Sequence, residues 1–180
     1  MKTKYIAYAT MLTALAMIFS YIEFLIPFSI GIPGIKLGIA NIVRIITLYC
    51  LGPKYAFAVN IARVLLSGLL FSGLYGLMYS LSGALISLVA MSLLKKTNAF
   101  SIIGVSAAGG VTHNFAQILM ASLVVSNINI FIYFPVLIFA GIICGVLNGF
   151  ASHLILKRLP QDALVQNKFN HRGYYANNKK

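Results

Sequence analysis

Residues 32–45 read IPGIKLGIANIVRI. A Pro-Gly turn leads through the cationic Lys36 into an apolar run that carries Asn41 and Arg44. The next apolar run repeats the Asn-x-x-Arg spacing at Asn60 and Arg63. An arginine in the middle of a hydrophobic segment is costly in lipid, so it faces a protein-lined or watery interior. Two of them in successive segments predict a polar site inside a membrane protein, biased toward an anion.

The surrounding composition points the same way. Of the 180 residues, 60% are hydrophobic and 9% are charged, against about 25% charged in soluble domains. Mean hydropathy is +0.91. The net charge of +12 does not point to nucleic acid. The positive residues sit at the ends of apolar runs, as cytoplasmic membrane anchors do, and are not clustered on a soluble face. Cys50 and Cys144 have no CxxC spacing and no ligand set nearby, so they read as buried small apolar residues. The MKTK start resembles a secretory signal, but its apolar run continues to about Phe28 without a clear A-x-A site. An uncleaved first span is expected.

A membrane span needs about 20 mostly apolar residues. Six are expected, at roughly 5–28, 37–51, 55–72, 74–94, 101–125 and 131–156, the second short and preceded by a PFSIGIPG segment that dips into the membrane edge or covers the site. With the N-terminus inside, Lys2, Lys4, Lys54, Lys95, Lys96, Lys157 and Arg158 all fall on the cytoplasmic side, as do Lys168, Arg172, Lys179 and Lys180, and only Lys36 lies outside. That distribution obeys the positive-inside rule. The expected fold is an all-α polytopic bundle over residues 1–158 with both termini cytoplasmic. A basic tail without helical periodicity follows at 159–180.

Small residues recur at four-residue spacing: Ala9 with Thr13 and Ala16 with Ser20 in the first span, Ser72, Gly76 and Ser80 in the fourth, Gly141, Gly145 and Gly149 in the sixth. Such faces let helix backbones approach closely. Packing within the bundle is the first expectation, and a partner-binding face the second.

Asn41 and Arg44 share a helix face, as do Asn60 and Arg63. Together they form two ledges able to hold phosphate or carboxylate, for which the guanidinium offers a planar fork. Glu23 is the only acidic residue of the apolar region and cannot neutralise Lys36, Arg44 and Arg63 together, which favours a ligand. Glu23 itself reads as a counter-charge, with contact to a substrate amine or proton coupling as alternatives. A second polar cluster, His113, Asn114 and Gln117 beside Gly109-Gly110, is spaced to point roughly one way and to line a cavity. Asn148 and His153 read as packing and interface residues. No second His or carboxylate is spaced to complete a metal site, no Walker motif is present, and no resident cofactor is expected. With one Glu and one Asp in all, paired-carboxylate catalysis and carboxylate-bound Mg²⁺ are excluded.

The stretches PGIKLGIANIV (33–43), LGPK (51–54), YSLSGALISLVAMSLLKK (79–96), GVSAAGGVTHNFAQIL (104–119) and YFPVLIFAGIICGVLNG (133–149) resemble a family of small bacterial membrane proteins. It is known both as heptaprenyl diphosphate synthase component I and as Gx transporter, and the likeness covers about residues 5–156. The family is similar in size and span count to the S components of energy-coupling-factor transporters. That resemblance implies a six-helix binder of a vitamin, flavin or isoprenoid or quinone precursor in the bacterial cytoplasmic membrane. Its partners would be a transmembrane coupling subunit and ATPases. The synthase label implies instead a non-catalytic accessory subunit beside a soluble prenyltransferase. On the accessory reading the arginines are structural. On the binding reading, Lys36, Asn41, Arg44, Asn60 and Arg63 are expected to hold the anionic group of a small solute. His113, Asn114 and Gln117 contact its remainder, and residues 27–36 form a lid.

Overall fold

The structure is a computed structural model that describes residues 2–26 and 38–159. Among these the chain is all-helical. Helix α1 spans Lys2–Leu25, α2 Ala40–Cys50, α3 Pro53–Ser67, α4 Gly73–Thr97, α5 Ile102–Val125 and α6 Phe134–Arg158. A π-helical turn, Gly68–Ser72, joins α3 to α4, and a 3-10 turn, Ile128–Tyr133, precedes α6. Lys36 and the expected lid at 27–36 lie outside the described residues, as does the tail from residue 160.

Local chemistry sets the ends of these elements. Pro53 occupies the first turn of α3, where its missing N–H has no helical partner to lose. Ser101 caps α5 by accepting from the Gly104 N–H. Helix α4 ends with Lys95 and Lys96 in its last turn and a left-handed Asn98, the charge and the conformation that suit a helix C-terminus. Between α3 and α4 the chain reverses at Gly73, whose φ of +69° is open to glycine at little cost.

Four apolar helical segments are long enough to cross a membrane: Thr3–Leu25, Pro53–Thr97, Ile102–Val125 and Ile128–Arg158. Their outward faces carry exposed Ile, Leu, Val and Phe side chains along α1, α4, α5 and α6. The chain is a multi-pass membrane protein. Pro53–Thr97, 45 residues long, would reach about 67 Å as one rod. It is folded at Gly73 into two antiparallel arms, with Gly68 against Leu77 and Asn60 against Ala84.

Packing order runs α1, α3, α4, α5, α6, α2 and back to α1. Helices α5 and α6 meet backbone to backbone. A Cβ on Gly110 would lie 2.2 Å from the Gly141 carbonyl oxygen, and one on Gly145 2.7 Å from Cα of Ala107. Ser106 Oγ donates across this seam to the Gly145 carbonyl at 2.6 Å. The glycine stripe of the sixth span therefore packs within the bundle.

Helix α2 differs from the others. It has 11 residues, eight of them buried, and at about 16 Å it covers half of a hydrocarbon core of about 30 Å. The segment expected at 37–51 is a short internal helix. Ile45 and Leu48 join Leu88, Met91, Val105 and Leu156 in the main apolar core. Because both its apolar residues and Arg44 and Thr47 are buried, α2 lies inside the bundle and carries the arginine with it.

Candidate functional site

Arg44 is 4% exposed. Its Nη1 donates to Ser87 Oγ on α4 at 2.7 Å, and Ser87 donates in turn to the Ala84 carbonyl at 3.3 Å. The same carbonyl accepts from Asn60 Nδ2 on α3 at 3.1 Å. Asn60 Oδ1 receives Arg63 Nη2 at 3.4 Å, and Arg63 Nη1 reaches Ser20 Oγ on α1, also at 3.4 Å. One hydrogen-bonded chain thus links α2, α4, α3 and α1, with an arginine near each end.

These bonds hold the guanidiniums without neutralising them. Arg44 and Arg63 are near enough to interact unfavourably, and the nearby carboxylate acting on Arg63 is Glu23. Two positive charges therefore face one negative charge among the described residues of the site. The Nε atoms of both arginines are buried with no hydrogen-bond partner among the described residues. A buried donor left unsatisfied costs about 1–3 kcal/mol, more when charged. An oxyanion beside either guanidinium would give its Nε a partner. On Arg44 the bond to Ser87 uses Nη1 and leaves the Nε edge to receive a pair of phosphate or carboxylate oxygens.

Glu23 has a second role. Its carboxylate accepts the Ile39 N–H at the start of α2, where a negative charge suits the helix dipole. It thus acts on Arg63 and on α2 at once.

The other expected residues divide. Asn41 folds back beside Gly38, where Asn148 of α6 also lies. A Cβ on Gly38 would sit 2.6 Å from Asn41 Nδ2 and 3.3 Å from Asn148 Nδ2. Asn41 therefore turns toward α6 while Arg44 turns toward α4. His113 and Gln117 pack on α4 at Gly83, where a Cβ would meet His113 Cε1 at 2.7 Å and Gln117 Cγ at 3.0 Å. That notch is one residue before Ala84, on the part of α4 that meets α5. Asn114 donates instead to the Leu137 carbonyl on α6 at 2.7 Å. The trio expected to point one way is split, because neighbours on a helix diverge by about 100°. Lys36 lies outside the described residues.

Sequence reading did not single out Ser20 and Ser87 as arginine partners, or Asn148 beside Asn41. Serines at small-residue positions carry no mark that separates packing from hydrogen bonding. Among the described residues no group of three or more His, Cys, Asp or Glu gathers as a metal site.

The family described as heptaprenyl diphosphate synthase component I matches residues 12–155. The match runs from the middle of α1 to the last turns of α6 and includes each of the site residues above. No curated protein and no solved structure matches the chain.

Proposed function

The chain belongs to the heptaprenyl diphosphate synthase component I family, and from that premise we propose that it is a non-catalytic membrane subunit that holds an anionic ligand between α1, α2, α3 and α4. The ligand class that joins the family description to the site is an isoprenoid diphosphate. Its phosphates would meet Arg44, Asn60 and Arg63, and its hydrocarbon would run among apolar helices. The observation that carries this reading is Arg44, nearly fully buried beside a second arginine, with its Nε unpartnered.

Catalysis belongs elsewhere. Aspartate-rich prenyl transfer needs several carboxylates for Mg²⁺, and this chain offers Glu23 and Asp162. A soluble prenyltransferase subunit would supply them. The placement we infer has six passes, the second made with the short helix α2, and both termini on the cytoplasmic side of a bacterial inner membrane. Lys4, Lys54, Lys95, Lys96, Lys157 and Arg158 lie at or near helix ends, and Tyr5 stacks on Tyr55 at 5.7 Å, so the starts of α1 and α3 share one end of the bundle. Positive residues favour the cytoplasmic side.

A second reading is solute uptake with a coupling subunit and ATPases. It is favoured by the exposed small face of α1 at Ala7, Thr10 and Ala14, which is open to another helix. Vitamins and flavins carrying a phosphate or carboxylate fit the same cationic site.

Binding and partner capture separate the two. Purified protein should bind farnesyl diphosphate or inorganic diphosphate by calorimetry, and the Arg44→Ala/Arg63→Ala pair should lose at least tenfold in affinity, about 1.4 kcal/mol. A soluble aspartate-rich prenyltransferase recovered with the protein supports the subunit reading. Recovery of a transmembrane coupling protein with ATPases supports uptake. A wild type that binds neither diphosphate nor any phosphorylated or carboxylated vitamin rejects the anion site.

A further inference from the structure

Helix α2 is attached to the rest of the chain through Gly38, φ +71°, and Gly52, φ +90°. Both junctions use backbone open mainly to glycine, so the helix does not run on through either of them. Side chains from other helices grip its two ends instead. At the N-terminus the Glu23 carboxylate of α1 accepts the Ile39 N–H. At the C-terminus Lys95 of α4 donates from Nζ to the Leu48 carbonyl at 2.7 Å and lies over the Tyr49 ring, 4.7 Å from its centroid. The Thr47 carbonyl is already taken by the N–H groups of Leu51 and Gly52. Lys95 therefore satisfies a carbonyl that the end of the helix leaves over.

The charges match the ends. A carboxylate at the positive end and an ammonium at the negative end both stabilise a helix dipole. Arg44 sits between the two grips, five residues after Ile39 and four before Leu48. Its depth, and its reach to Ser87, follow from where α2 is held.

We propose that Glu23 and Lys95 are positioning residues that clamp α2 from opposite ends and so set Arg44 in the anion site; the second half of this statement rests on the anion-binding reading. Lys95 is the better test, because Glu23 also acts directly on Arg63.

The protein carries its own reporter. Cys50, the last residue of α2, is 6% exposed and close to Lys95, and the chain has two cysteines. In full-length Cys144→Ser protein in nanodiscs, N-ethylmaleimide labelling of Cys50 is followed by mass spectrometry, and inorganic diphosphate affinity by calorimetry. Lys95→Met should speed labelling about tenfold and weaken diphosphate binding severalfold, and Lys95→Arg should restore both. A Lys95→Met protein with wild-type labelling and affinity overturns the clamp. Faster labelling with unchanged affinity overturns the positioning role and leaves Lys95 a local seal. Loss of both that Lys95→Arg does not rescue, with a collapsed melting transition, also counts against it. If the parent protein binds no diphosphate, the anion reading fails by itself, and the labelling rates of Lys95→Met and Lys95→Arg still decide whether α2 is clamped.

Discussion

At the scale of single residues, the hydroxyl of Ser87 matters through what it leaves behind when removed. It accepts from Arg44 and donates to the Ala84 carbonyl, in a part of α4 where Ser87 has no exposed surface. Ser87→Ala strands a guanidinium N–H in the interior, a cost of about 1–3 kcal/mol. A drop in the detergent melting temperature and in diphosphate affinity is expected. Ser87→Thr, which keeps the hydroxyl, should recover much of both. Unchanged stability in Ser87→Ala would mean that Arg44 has another partner available. Arg44→Lys should not replace the wild type, because an ammonium lacks the two-pronged edge with which a guanidinium pairs with a phosphate.

Among the helices, the α5–α6 seam is the most constrained contact. Gly110 and Gly141 approach so closely that any side chain at Gly110 meets backbone, which cannot swing aside as a side chain can. Gly110→Ala is expected to cost about 1–3 kcal/mol by forcing the helices apart. Gly73→Ala provides the contrast. Nothing lies within 4 Å of the new methyl, but a φ of +69° with a ψ of 179° is backbone essentially confined to glycine, so about 1–3 kcal/mol is expected from strain alone. Thermal melts of the two variants rank these costs. A Gly110→Ala protein as stable as the wild type would contradict the seam's importance. The same seam keeps α5 in a fixed rotation, which holds His113 and Gln117 against Gly83 and turns Asn114 to α6.

For the whole molecule, the two ends of the bundle differ in chemistry. One end gathers lysines and arginine at the termini of α1, α3, α4 and α6. Among the described residues the other is made by the turns at Gly68–Ser72 and Ile128–Tyr133, which carry no charged residue. There Leu69, Leu70, Leu74 and Tyr75 are largely exposed, as are Ile128 and Ile132. Apolar side chains on a turn are stable only where water is scarce, so these turns are expected to lie in the headgroup layer or deeper. The chain has no tryptophan, so Leu69→Trp creates a single fluorescent reporter. Its emission should be quenched by lipids brominated on their acyl chains. Quenching by aqueous iodide alone would place the turn in water.

Membrane character was decided by composition, because hydropathy is a property of each residue summed over a window. The helices could be located from apolar runs and their Pro, Gly and Lys boundaries, which act locally. The surplus of arginine over the single apolar-region glutamate was readable from the sequence, since charge balance needs no coordinates. Tertiary structure decided the rest. It made α2 a short buried helix held by Glu23 and Lys95, although its apolar run resembled a thin span. It chose Ser87 and Ser20 as arginine partners from many similar serines, and it parted Asn114 from His113 and Gln117. Each of these depends on helix rotation and on which neighbour faces which side, set by long-range packing between glycine and leucine surfaces; a residue's own letter and its near neighbours do not encode that angle.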